Sequence, residues 1–112
     1  MQLLLEAGAA VSQAKDNGVT PLYVACQNGR LEWARLVLEA GAAINRAKEN
    51  GGTPLFMACQ NGHLECARLL RGAGADINQA LNDGTTPLFI TSEKGYPEIA
   101  RLLLEAGAAI DQ

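Results

Sequence analysis

The sequence predicts an all-α solenoid of stacked helix–turn–helix units, and three observations carry that expectation. Thr-Pro-Leu recurs as Thr20-Pro21-Leu22, Thr53-Pro54-Leu55 and Thr86-Pro87-Leu88, at a constant step of 33 residues. Hydrophobic residues make up 48% of the 112, yet aromatics only 4%, so core volume must come from Leu, Ala, Ile and Val, which suits closely packed helices better than a β-sandwich. Ten of the 12 glycines return at equivalent places in the step, where helices would stop or turns would form.

The repeat organises the whole chain. Residues 20–52 and 53–85 share 20 identities in 33 positions, and 20–46 share 15 of 27 with 86–112. Leu3, Leu5, Glu6, Gly8 and Ala9 lie 33 residues before Leu36, Leu38, Glu39, Gly41 and Ala42, so 1–19 reads as the second half of a unit. The chain is one repeat domain over 1–112: a partial repeat (1–19), two full repeats (20–52 and 53–85) and a C-terminal repeat (86–112).

Within each repeat the threonine hydroxyl can cap a helix, and the proline after it takes a position where a missing N–H costs nothing. A first helix therefore starts at Pro21, Pro54 and Pro87 and runs about eight residues, to Gly29, Gly62 and Gly95. A second helix is predicted over Leu31–Ala40, Leu64–Ala73 and Pro97–Ala106, stopped by Gly41, Gly74 and Gly107. Asn17-Gly18, Asn50-Gly51 and Asp83-Gly84 then mark tight turns. Glu32/Arg35, Glu65/Arg68 and Glu98/Arg101 form i,i+3 pairs on the second helices and mark the solvated face. Gly72 falls inside a helix, where it costs about 0.5–1 kcal/mol relative to Ala, so that helix end should be the weakest. Two such short helices cannot enclose a core alone, whereas stacked pairs make a continuous one.

Composition excludes several function classes. Nine Lys and Arg against 12 Asp and Glu give a net charge of −3, which offers no basic field for nucleic acid or an anionic membrane. Apolar runs are broken well short of the 18 or more residues that a membrane span needs, and Met1–Glu6 lacks the basic start of a signal peptide. Cys26, Cys59 and Cys66 lack paired spacing and read as reduced core thiols of an intracellular, cytoplasmic protein. With His63 the only histidine, neither a zinc set nor a Ser-His-Asp constellation can be assembled around Ser12, Thr91 or Ser92. No enzyme, metal or cofactor is expected.

Thr-Pro-Leu-x-x-Ala, then Gly-x-Leu-Glu, then Leu-x-x-Ala-Gly-Ala-x-Ile-Asn at this period resembles the ankyrin repeat over the entire chain. The resemblance implies a slightly curved stack of antiparallel helix pairs with β-hairpin-like finger loops, and a concave groove formed by the fingers and the first helices. It implies a non-enzymatic protein–protein interaction module. The family's usual His after Thr-Pro-Leu is Tyr23, Phe56 and Phe89 here, for which ring packing is expected, and the expected Ala becomes Thr91 in the last repeat. Trp33 is expected to pack between repeats, and His63 to make a structural hydrogen bond.

By register, the partner-facing positions implied by the resemblance are Asp16, Asn17, Val19, Gln27 and Asn28, then Glu49, Asn50, Gly52, Gln60 and Asn61, then Asn82, Asp83, Thr85, Glu93 and Lys94. A protein partner, in particular a polar or mildly basic segment, suits this surface, with no role for nucleic acid or membrane. Weak end-to-end self-association through Leu3–Leu5 and through Ile99, Leu102 and Leu103 is a further expectation. Two alternative readings are a ligand-free structural or engineered, consensus-like scaffold from a longer array, and an array appended to a catalytic domain.

Overall fold

A computed structural model describes residues 18–108. Six helices form among them: α1 (Pro21–Gln27), α2 (Leu31–Glu39), α3 (Pro54–Gln60), α4 (Leu64–Gly72), α5 (Pro87–Lys94) and α6 (Pro97–Glu105). The odd-numbered helices start as the Thr-Pro pairs dictate. Thr20, Thr53 and Thr86 stand in extended backbone and their hydroxyls accept from the amides of Tyr23 (3.2 Å), Phe56 (3.1 Å) and Phe89 (3.1 Å). Each even-numbered helix stops one residue earlier than predicted, at Glu39, Gly72 and Glu105, because the following alanine already serves as its C-cap.

The helices make two layers. The odd helices pack in the order α1, α3, α5, the even helices in the order α2, α4, α6, and each repeat's pair packs across the layers. The main core lies between the layers: Leu22, Ala25, Cys26, Ala34 and Val37 continue into Leu55, Ala58, Cys59 and Leu70 and on to Ile99, Leu102 and Leu103. Trp33 is half-buried against it, as expected of a residue between repeats. The three cysteines are buried free thiols. Burial pushes Cys59 up to about 12, whereas Cys26 is raised and Cys66 lowered by the hydrogen bond they share.

A smaller core forms where fingers meet first helices, built of Tyr23, Phe56 and Met57 with Val19, Leu81 and Ile90 against them. The fingers are hairpin-like turns, and no strand forms among the described residues. In one, the Lys48 amide donates to the Gly52 carbonyl (2.7 Å) and Gly51 back to Lys48 (2.8 Å); in the next, Leu81 donates to Thr85 and Gly84 to Leu81 (both 2.9 Å).

Two expectations of burial are corrected. Ile99, Leu102 and Leu103, expected to be partly uncovered, are at most 6% exposed, because they point back into the main core rather than along the stack. Phe89, expected to pack as Tyr23 and Phe56 do, is 57% exposed, because the finger that covers each earlier ring comes from the following repeat.

Candidate functional site

The groove is lined by the fingers and the solvent side of α1, α3 and α5. Of the positions expected to face a partner, Asp16 and Asn17 lie outside the described residues. Gln27, Asn28, Glu49, Asn50, Asn61, Asn82, Asp83, Glu93 and Lys94 are exposed, and Val19, Gln60 and Thr85 half-buried. Gly52 is buried, with Tyr23 and Leu81 within van der Waals reach of where a side chain would start, so it acts as a spacer between fingers.

Several of these residues brace the repeats against one another. The Asn82 side chain donates to the Glu49 carbonyl (2.8 Å) and its amide to the Asn50 carbonyl (2.8 Å), which ties one fingertip to the next. Asn50 folds its own carboxamide oxygen onto the Gly52 amide (2.9 Å). Asp83 accepts from the Thr85 hydroxyl (2.7 Å) and amide (2.9 Å), and these bonds hold its carboxyl below the usual carboxylate range. At the end of α1 the Gln27 carbonyl accepts from the Asn61 carboxamide (2.9 Å) and from His63 Nε2 (3.1 Å), the structural hydrogen bond expected of that histidine. Gln27, Asn28, Gln60, Glu93 and Lys94 are not tied in this way by their side chains. Together with the tied Asn61 they fill two registers of the groove, Gln27–Gln60–Glu93 and Asn28–Asn61–Lys94, that run from neutral amide to charge.

The opposite face is spoken for. Arg35 meets Glu32 at 3.2 Å, Arg68 meets Glu65 at 3.0 Å and Arg101 meets Glu98 at 3.7 Å, all on solvent-exposed helix surface where such pairs contribute little.

Sequence reasoning missed the apolar part of the groove side. Val24 is 39% exposed on α1, and Phe89 opens onto a hollow of about 270 Å³ bordered by Asp83, Gly84 and Thr85. The signal was available in principle: a ring covered by the following finger must be uncovered in the last repeat described. Among the described residues no cluster of His, Cys, Asp and Glu could hold a metal ion, and no helix is long and apolar enough to cross a membrane.

Comparison with protein families settles the kinship. The model described as "Ankyrin repeats (3 copies)" matches residues 44–112, and "Ankyrin repeats (many copies)" matches residues 4–55. The chain belongs to the ankyrin repeat family. Its helix pairs and hairpin-like fingers are those of ankyrin repeats, which are generally non-enzymatic protein-interaction modules. Comparison with curated proteins finds none that matches.

Proposed function

We propose that this ankyrin domain binds a protein partner through the groove between its fingers and first helices. One observation carries the reading: side chains vary along the groove, from Gln27 and Asn28 to Glu93 and Lys94, over a frame of Thr caps and core leucines that does not. Variation at solvent-facing positions over a repeated frame is what recognition can use. Carboxylates at Glu49, Asp83 and Glu93 against Lys48 and Lys94 favour a polar or mildly basic protein segment. Cytoplasmic residence accords with the three free, buried thiols, and the net charge of −3 disfavours nucleic acid and anionic membrane as partners.

Site-directed photo-crosslinking tests this. A benzophenone side chain placed at Gln60 or Lys94 should capture a partner saturably, with excess unlabelled domain competing. The same group at Glu32 or Arg68 should not. Equal capture from both faces, or capture from the Glu/Arg face alone, overturns the groove reading.

A further inference from the structure

Two nucleophiles meet in the main core, away from the groove. Cys26 is the last residue but one of α1 and Cys66 the third of α4, in successive repeats, and both are buried free thiols. Their approach is set by the joint between those repeats. The Gln27 carbonyl, one residue after Cys26, accepts from the Asn61 carboxamide (2.9 Å) and from Nε2 of His63 (3.1 Å), and His63 is the N-cap of α4. Gly29, with φ of +70°, makes room for that imidazole, since a Cβ there would sit 2.5 Å from its Nδ1. The end of α1 is thereby pinned to the start of α4, and across this joint the Cys26 thiol donates a hydrogen bond to the Cys66 sulfur.

The next joint has the same build and different chemistry. Tyr96 rests on Gly62, where a Cβ would come to 2.8 Å from its Cζ, yet the register of the two thiols holds Cys59 and Ile99. Cys59 shares a hydrogen bond with Thr91 instead. Stacking therefore does not call for a second thiol, and the pair is particular to one joint.

We propose that Cys26 and Cys66 form a redox-active dithiol, a modification site at which a low-molecular-weight disulfide is reduced while the two sulfurs become bonded across the joint. The reaction is thiol–disulfide exchange. Cys66, whose thiolate the Cys26 hydrogen bond favours, attacks one sulfur of the reagent and expels the other half as a thiolate. Cys26 then gives its proton to water, attacks the Cys66 sulfur of the mixed disulfide and expels the second half. Two protein thiols become one disulfide, one reagent disulfide becomes two thiols, and two electrons pass from protein to reagent. Because both sulfurs are buried, the first attack requires the joint to open locally. Reclosure brings Cys26 back onto Cys66, which is the geometry the second attack needs.

The test incubates the full native chain with oxidised glutathione without denaturant, quenches with acid and alkylates the remaining thiols after unfolding. The expected product lacks two hydrogens, carries the alkyl group on Cys59 alone and yields a fragment in which Cys26 is joined to Cys66. It should melt about 10 °C above the reduced chain, because the bond closes a loop longer than one repeat, and dithiothreitol should reverse the shift. Cys59→Ala should close as the parent does, whereas Cys26→Ser should halt at a glutathione adduct on Cys66. No closure, closure only in denaturant, a lasting adduct on the parent's Cys66, or a bond from either sulfur to Cys59 overturns the proposal. A closed form that melts no higher than the reduced chain equally overturns it, since the native joint would then have to break for the bond to form.

Discussion

Phe56 and Phe89 are the same residue at the same place in adjacent repeats, each the donor to its own Thr cap, yet one is 1% exposed and the other 57%. Ten residues later, Cys66 and Ile99 share a register and are both buried, at 2%. The two pairs differ in where their cover comes from. Residues of the second helices are covered largely by their own repeat and the one before it, while the ring of the first helix waits for the finger that follows. In a stack, burial belongs to an interface and not to a residue, so the middle repeat and the third repeat are chemically alike and energetically different.

The largest effect should come from that contrast itself. Phe56→Ala should cost about 3–5 kcal/mol in urea denaturation, as for other buried aromatics, against less than about 1 for Phe89→Ala. Equal costs would break the comparison.

Next comes pH. Cys59 is buried in the middle repeat, with its thiol pushed up to about 12, while its counterpart in the third repeat is the exposed Ser92. A thiol whose folded value is raised adds stability that is whole below its ordinary value near 9 and is lost as pH rises toward 12. Denaturation at pH 10.5 should therefore show a loss of roughly 2 kcal/mol relative to pH 7 from this group, and Cys59→Ala should flatten that slope.

The glycine pair sharpens the contrast further. Gly62→Ala and Gly95→Ala both force an L-residue into left-handed backbone, at about 1–2 kcal/mol, but only Gly62→Ala must also displace a ring. Its melting temperature should fall more. Gly72, helical, exposed and with open space where a Cβ would stand, should respond the opposite way: Gly72→Ala should raise stability by about 0.5–1 kcal/mol. The smallest effect belongs to the Glu32–Arg35 pair, whose removal should lower the unfolding free energy by no more than about 0.2–0.5 kcal/mol and less in high salt.

What could be read from the sequence was what a few neighbouring residues decide. Thr20-Pro21 and its relatives state where a helix starts, Gly29 and Gly41 where one stops, and Glu32/Arg35 which side meets water; the structure places each accordingly. Register alone did not reveal that Asn61 and Asn82 reach across to carbonyls of the preceding repeat, or that Gly52 is a buried spacer, because those facts concern residues about one repeat away in the chain. The groove was legible as a set of positions. Which of them are already engaged was not.

The contact from His63 to the Gln27 carbonyl spans 36 residues, and the fingertip bond from Asn82 to Glu49 spans 33. No loop longer than about one repeat must close to form either one, so the entropy of closure is modest and nearly the same at every joint. Chains with such uniformly near contacts fold fast and without a fixed starting end. The repeat at 53–85, with a described neighbour on both sides, gains the most from each joint that closes, and the ring of Phe89, left 57% exposed, gains the least.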